Sequence, residues 1–338
     1  MGLSELDRRI LGALHLDGRA PWSTVARQAD CSANTAQRHF GSLQSRGAAR
    51  VVGALDVVAA RVGLPVLVRL SGPVARLDGL VTRLRDRPDV RFLVTVAGTA
   101  DCIAEVVVRD LADLQRLVPE LLGDAGFSSE ALPVLRTFTS GHNWSPVVTM
   151  APDGTELDQA RLTDPQQVRE RETPLTETER RLVTALMRDG RAPLAGLAAA
   201  IGKSESTAAR LLENLQSDGL IAFRTLVEPP LLGYACECMV WLSVAPESLE
   251  PAALALARHP ATKYLSAAAG RYNLVGQVVV EHYQDLYDFA TKVLGALPGV
   301  RDLDLTLQMR TYKRVWTPIS EAGYTESSQG GELFGLDY

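Results

Sequence analysis

Apolar positions along this chain follow two alternating rhythms. Leu6, Ile10 and Leu14 recur at helical spacing, and Ser4 followed by Asp7 has the form of a capping box, so a helix is predicted from about Glu5 to Leu16. Asp17-Gly18 is expected to end it, because glycine accepts the left-handed conformation beyond a helix end. A short helix follows from about Ser23 to Ala29, then a turn at Cys31-Ser32, with Ser32 as an N-cap. A third helix runs from about Ala33 to Ser45 and stops at Gly47, and Ala49 to Leu55 reads as a strand, the wing. Beyond it the pattern gives a strand at Pro65–Leu70, a helix marked by Leu77, Leu80 and Leu84, and strands at Val90–Val96 and Cys102–Val108 joined through Gly98 to Asp101. Leu111, Leu114, Leu117, Val118 and Leu121 mark another helix, and Glu130–Phe138 a last strand. The order β-α-β-β-α-β is ferredoxin-like.

The pattern then repeats. Asp17-Gly-Arg-Ala-Pro21 returns as Asp189-Gly-Arg-Ala-Pro193, and Leu3-Ser-Glu-Leu-Asp-Arg-Arg as Leu175-Thr-Glu-Thr-Glu-Arg-Arg. Arg38 matches Arg210, Gly47 Gly219, Gly98 Gly270, Trp144 Trp316 and Pro146 Pro318, every pair 172 positions apart. A constant offset that keeps Gly, Pro and Trp in phase indicates duplication. In the second copy Thr176 and Glu179 form the capping box, Ser204 caps a third helix from Glu205 to Ser217, and the second ferredoxin-like helix is expected from Leu286 to Leu294, the last strand from Asp302 to Gln308. The fold class is therefore α+β, two winged helix-turn-helix domains alternating with two ferredoxin-like βαββαβ domains. The expected boundaries are 1–60 and 61–146 for the first copy, 147–174 for a Pro-, Gln- and charge-rich linker, 175–228 and 229–320 for the second copy, and 321–338 for a loose tail.

Composition adds limits. The 338 residues are 46% hydrophobic and 22% charged, values of a globular protein with real cores, and no apolar run is long enough for a membrane span. Four cysteines, Cys31, Cys102, Cys236 and Cys238, form no disulfide framework and no paired zinc knuckle, which points to the reducing cytoplasm; Cys236 and Cys238 share a strand face but read as small packing residues rather than metal ligands. A net charge of −5 argues against indiscriminate nucleic-acid binding but leaves room for a local basic patch. Phosphate loops, dinucleotide fingerprints and hydrolase motifs are absent, and no catalytic residue, cofactor or metal is expected.

In a helix-turn-helix the third helix enters the major groove. Its exposed start would present Asn34, Gln37 and Arg38 in the first copy and Ser206, Ala209 and Arg210 in the second. Asn, Gln and Arg bond base edges in pairs, so the first copy has the better reading set, and Glu205 and Ala209 weaken the second. Ser32, Thr35, Ser204 and Thr207 complete the candidate DNA set, with Arg46 and Lys203, together with Arg27, Arg50 and Arg224, for phosphates. Solvated surface charge is the alternative role for each of these basic residues.

A capped helix-turn-helix, a wing, and βαββαβ with a Gly-x-x-Asp hairpin resemble the Lrp/AsnC family of transcription regulators over nearly the whole chain, in both copies. The resemblance implies a sequence-specific DNA-binding regulator responding to an amino acid or related small molecule, which in that family binds near the hairpin at contacts between sandwiches. It also implies an even-numbered homo-oligomer, here with one chain already supplying a pseudo-dimer. The candidate effector residues are Gly98, Thr99 and Asp101, and Gly270, Arg271, Tyr272 and Asn273; the first hairpin lacks the usual aromatic and the second carries Asn for Asp. A turn-capping role for Asp101 and Asn273 stands beside the ligand role. Two rival readings remain: an enzyme resembling the siroheme decarboxylases, which share this architecture, and a DNA-free sensor or anti-regulator that acts on a protein. Trp144 and Trp316 are expected to be core or interface anchors.

Overall fold

The computed structural model describes residues 2–122, 126–141, 144 and 171–325. The expected linker as far as 170, and the tail beyond 325, lie outside the described residues. In chain order the first copy contains α1 (Glu5–Leu16), α2 (Trp22–Ala29), α3 (Ala33–Ser45), β1 (Ala49–Leu55), β2 (Leu64–Ser71), α4 (Leu77–Arg85), β3 (Val90–Ala97), β4 (Cys102–Val108), α5 (Leu111–Leu122) and β5 (Ser128–Thr139). The second contains α6 (Glu177–Arg188), α7 (Leu194–Ile201), α8 (Glu205–Ser217), β6 (Ile221–Val227), α9 (Pro229–Leu232), β7 (Cys236–Val244), α10 (Leu249–Ala257), β8 (Thr262–Ala268), β9 (Leu274–Val280), α11 (Tyr283–Asp288), β10 (Val300–Arg314), β11 (Thr317–Ser320) and β12 (Gly323–Tyr324). The α+β class with two helix-turn-helix units and two βαββαβ units is what the sequence pattern predicts. The chain forms two compact units, and each is built from both copies.

The first unit pairs the two heads. Each has a three-helix core, with Ile10, Leu11, Leu14, Val25, Phe40 and Leu43 buried in one and Leu182, Val183, Leu186, Leu197, Leu212 and Leu215 in the other. The wings β1 and β6 form an antiparallel ladder in which Val52 faces Arg224, positions equivalent under the repeat offset. The ladder is thus centred on a local two-fold axis. Around it Arg19 donates to the carbonyls of Gly190 (2.6 Å) and Ala192 (3.1 Å), and Arg191 returns the same bonds to Gly18 (2.6 Å) and Ala20 (2.9 Å). Arg191 also lies over the Trp22 ring and Arg19 over Phe223. Gly18 is needed here for space rather than for a left-handed turn: Asp17 beyond the helix is extended, and a Cβ on Gly18 would stand 2.8 Å from that of Phe223. The third helix of each head stops at a left-handed glycine, Gly47 (φ 68°) and Gly219 (φ 71°). The segment after Ser320, expected to be loose, is instead fastened as far as it is described: Tyr324 is buried, its amide donates to Gly47 O at 2.9 Å, and its hydroxyl donates to Glu228.

The second unit closes the two ferredoxin-like sheets on each other. Strands β3-β4-β2-β5 of one copy and β8-β9-β7-β10 of the other join through β5–β8 and β10–β3 into an antiparallel ring. Ferredoxin-like sheets carry helices on one face only, so the other apolar face requires a partner. Leu67, Val94, Ile103, Leu132, Met239, Trp241 and Val275 fill the space between the sheets, and two outer cores sit under the helices of each copy. The joining strands β5 and β10 are longer than the sequence pattern predicts, because they bond to both sheets and bend at bulges to do so. The helix expected from Leu286 to Leu294 is irregular: α11 passes into a π turn at Phe289–Val293 and a 3-10 turn at Leu294–Ala296.

Each tryptophan after a last strand clasps the opposite copy. Trp144 packs edge-on against Tyr234 and beneath the Lys263 ammonium, while Trp316 lies against Arg91 and donates to Pro88 O at 3.0 Å. Trp316 and Val315 both hold positive φ in a two-residue turn (60° and 50°), a strained conformation for a β-branched residue that the bond from Trp316 N to Arg91 O helps to hold. Lys313 nearby donates to Arg85 O (3.0 Å) and Arg87 O (2.6 Å), closing the end of α4; its burial depresses the ammonium pKa to about 8.

Two expectations follow. Arg19→Ala leaves two carbonyls without a donor and is expected to cost about 1–3 kcal/mol locally, seen as faster hydrogen exchange along β1 and β6 with the sandwich amides unchanged. Burial lifts the Cys102 and Cys238 thiols to about 12 and raises Cys236, whereas Cys31 is half-exposed. Ellman's reagent should therefore titrate one thiol per chain quickly and the other three only after unfolding.

Candidate DNA-reading helices and a candidate effector cavity

Both third helices expose their reading face. On α3, Asn34, Gln37, Arg38 and Gly41 are exposed in one stripe at helical spacing, and Ala36, Phe40 and Leu43 face the core. On α8 the matching positions are Ser206, Ala209, Arg210 and Glu213, with Ala208, Leu212 and Leu215 inward. The hydroxyls at the helix starts are engaged in capping. Ser32 accepts from Thr35 N at 3.1 Å and meets the Thr35 hydroxyl at 2.8 Å; Ser204 accepts from Thr207 N at 3.3 Å and meets the Ser206 and Thr207 hydroxyls at 2.9 Å. The cap satisfies one helix-start amide in each helix, that of Thr35 and that of Thr207.

The basic residues divide. Arg27, Arg38, Lys203 and Arg210 are exposed. Arg50 is buried and donates twice to Arg188 O, at 2.9 and 3.2 Å, so it fastens the two heads together and is withdrawn from any phosphate. Arg224 is half-buried at the centre of the wing ladder. Arg46 is half-buried and leans 4.0 Å from Asp7. That carboxylate does three jobs: it caps Ser4 N at 2.9 Å, accepts from the Ser4 hydroxyl at 2.7 Å and meets His39 Nδ1 of α3 at 3.0 Å. Burial alone would raise its pKa, but the bonds from Ser4 and His39 outweigh it and hold the carboxyl below its ordinary value. Glu179 repeats the arrangement with Arg171 (2.8 Å) and Thr176 as donors, and burial is again outweighed.

Within the sandwich unit a cavity of about 280 Å³ is lined by Arg69, Ser71, Thr99, Ser128, Ser129, Glu130, Arg271, Tyr272 and Asp304. Its centre is Arg69, a cation placed inside the apolar run of β2. The guanidinium bonds Asp304 at 2.6 Å, Glu130 at 3.3 Å and the Thr99 hydroxyl, and lies 4.5 Å above the Trp241 ring and 5.3 Å from Tyr272. Thr99 also donates to Asp304. Arg271 pairs with Asp302 at 2.7 Å and also lies over the Tyr272 ring, 5.2 Å from its centre. Asp304 and the second hairpin come from one copy, and Arg69, Thr99 and Glu130 from the other. The repeat offset puts Trp241 opposite Arg69 and Leu132 opposite Asp304, so the polar cluster around Arg69 has no equivalent in the other copy.

Of the hairpin residues singled out by sequence, Thr99, Arg271 and Tyr272 line this cavity. The other four hold the hairpins in place. Asp101 accepts from Gly72 N at 2.9 Å, and Asn273 bonds both Val244 N and Val244 O at 2.8 Å, tying each hairpin to the end of the neighbouring strand rather than to its own amides. Gly98 and Gly270 have φ of 144° and 151°, and a Cβ there would press on Thr306 (2.9 Å) or Leu132 (3.0 Å). Sequence reasoning missed Arg69, Ser71, Ser128, Ser129, Glu130 and Asp304. A single Arg inside Pro65-Val-Leu-Val-Arg-Leu was the available signal, since a charge in a buried strand needs a partner. Cys236 and Cys238 join no cluster of three or more metal-ligating side chains among the described residues, and no described helix is long and apolar enough to cross a membrane.

Comparison with known proteins follows the same division. The Lrp/AsnC ligand binding domain pattern matches 65–141 and 237–315, the AsnC-type helix-turn-helix domain 3–41, and a winged helix-turn-helix DNA-binding pattern 175–222. The HTH-type transcriptional regulator AldR of Mycolicibacterium smegmatis is 32% identical over 124 residues, 36% of this chain and 72% of that protein. The HTH-type transcriptional regulator FL11 of Pyrococcus horikoshii is 26% identical over 141 residues, 41% of this chain and 93% of its own length. Among solved structures, the siroheme decarboxylase NirDL shares the fold over 92% of this chain and 93% of its own, with a TM-score of 0.61 and 16% identity.

The carboxylates at the head starts predict acid sensitivity. Their folded pKa values are depressed, so the stabilisation is complete above the unfolded values near 4 and is lost as pH falls through the folded ones. Unfolding of the heads followed between pH 6 and 2 should show a steep loss below about pH 4, and Asp7→Asn should flatten it.

Proposed function

This chain belongs to the Lrp/AsnC family, and we propose that it is a sequence-specific DNA-binding transcription regulator governed by a small molecule held in the cavity at Arg69. One observation carries the DNA reading: α3 presents Asn34, Gln37 and Arg38 together on an exposed face that holds no carboxylate. These side chains suit base edges, with Ser32 and Thr35 at the helix start and Arg27 beside it for the phosphates. Lys203, Ser204, Ser206, Thr207 and Arg210 occupy the corresponding start of the second reading helix, and Arg46 serves as a secondary phosphate contact, provided it leaves Asp7.

The cavity suggests the effector's chemistry. Two guanidiniums, two carboxylates and several hydroxyls converge there, a nearly neutral but polar lining that fits a small zwitterion such as a polar amino acid. A ligand carboxylate competes with Asp304 and Glu130 for Arg69, and the hairpins at Thr99 and Arg271 respond. Such a ligand shifts the protein between states only by its difference in affinity for them. Chains are proposed to associate further into an even-numbered assembly, to be measured by light scattering. The chain is proposed not to be an enzyme.

The likeness in fold to a siroheme decarboxylase supports a second reading, an enzyme acting on a tetrapyrrole in the same sandwich body. It predicts a shift of the Soret band of an added iron porphyrin on binding. The regulator reading predicts no such shift, and predicts instead salt-dependent, sequence-selective DNA binding.

The thermal melt of the full chain against the polar amino acids tests the effector. A ligand at about a hundredfold over its Kd stabilises by about 2.7 kcal/mol, and Glu130→Gln, which removes one competitor for Arg69, should enlarge that response at a fixed ligand concentration. No response to any polar amino acid would remove the sensing half of the proposal, and no sequence preference in DNA binding would remove the other half.

A further inference from the structure

The two reading helices have diverged in charge. The segment from Ala33 to Arg46 carries Arg38 and Arg46 and no carboxylate. Its equivalent, Glu205 to Asp218, keeps Arg210 but adds Glu205, Glu213 and Asp218, all exposed. The exchanges fall on the face that would meet DNA. Under the repeat offset Ala33 becomes Glu205, Gln37 becomes Ala209, Gly41 becomes Glu213 and Arg46 becomes Asp218.

The preceding helix has changed in the same direction. On α2, Ser23 and Arg27 are exposed, and Arg27 offers a cation to a backbone phosphate. On α7 the exposed positions are Leu194, Ala195, Gly196, Ala199 and Ala200, with no hydrogen-bonding side chain among them. The second head has thus lost the cation of Arg27, the amides of Asn34 and Gln37 and the favourable charge along the reading helix, and gained one cation in the turn, Lys203 in place of Cys31, while its core, its capping box and its bonds to the first head are kept.

We propose that only the first head reads DNA, and that the second is a structural and repulsive partner, so that one chain recognises a single half-site rather than a pair. The inference rests on the regulator reading above. DNA carries about one negative charge per 1.7 Å of duplex axis, so each carboxylate facing it opposes binding. Lys203 and Arg210 stand against Glu205, Glu213 and Asp218, so the exposed charges from 203 to 218 sum to −1 (two cations, three carboxylates) and supply no net attraction, whereas 31 to 46 carries Arg38 and Arg46 and no carboxylate. The second head still has work to do. Its wing and Arg191 brace the first head, and that rigidity fixes the direction in which α3 projects.

The test uses the full chain. Binding sites are first selected from a random duplex library, and affinities of variants for a selected duplex are then measured by fluorescence anisotropy. Arg38→Ala and Gln37→Ala should each weaken binding at least about fivefold, whereas Arg210→Ala should change it by less than about twofold. The combination Glu205→Ala, Glu213→Gln and Asp218→Arg should strengthen binding to unrelated duplexes and steepen the salt dependence. All of these side chains are exposed, so thermal melts should match the parent. Equal losses for Arg210→Ala and Arg38→Ala, or an unchanged salt slope in the triple variant, would overturn the single-reader proposal while leaving the regulator intact. Failure of the parent chain to select any sequence would overturn the regulator reading and this inference with it.

Discussion

A four-stranded sheet with helices on one face has an apolar surface left over, and everything in the sandwich unit follows from covering it. Here the cover is the other copy. Leu67, Ile103 and Leu132 meet Met239, Trp241 and Val275 in a core that neither copy possesses alone. Closing the ring at β5–β8 and β10–β3 also removes the sheet edges, which would otherwise offer unpaired backbone groups to other chains. The long last strands, their bulges, and the Trp144 and Trp316 clasps are the means by which two sheets become one ring.

Joining both halves in one chain frees them to differ. In a dimer of identical subunits, an arginine at the position of Arg69 would meet its own copy across the axis. In this chain the equivalent position is Trp241, and the guanidinium stacks on an indole while Asp304 and Glu130 balance its charge. The same freedom let α3 and α8 drift apart in charge, while Arg19 and Arg191, which must exchange bonds across the axis, stayed matched. The reciprocal pair Arg19 and Arg191 kept the symmetry, whereas Arg69 meets a different residue, Trp241, at its own counterpart position.

Much of this was legible beforehand for local reasons. Capping boxes at Ser4 and Thr176, the stops at Gly47 and Gly219, and the ranges of α1, α3 and α8 depend on neighbours within four residues. Where the reading went astray, a distant partner had intervened. Gly18 seemed a helix stop and is a point of close approach by Phe223. Arg50 seemed a phosphate contact and is bonded to Arg188 O. Asp101, which the sequence offers both as a turn residue and as a ligand residue, bonds Gly72 N. The cavity itself was half visible: Thr99, Arg271 and Tyr272 lie on the flagged hairpins, but Arg69, Glu130 and Asp304 sit far apart along the chain.

The sequence by itself determined the duplication, the order of elements, the helix limits and the reading face of α3, because periodicity and capping are encoded over a few residues. The tertiary structure alone decided which copy supplies each wall of the cavity, which arginines are withdrawn from the surface, and why Arg69 can be charged in a buried strand. Those outcomes depend on groups brought together by ring closure and by the pairing of β1 with β6, and no local pattern records the charge of a neighbour more than two hundred residues away, as Asp304 is from Arg69.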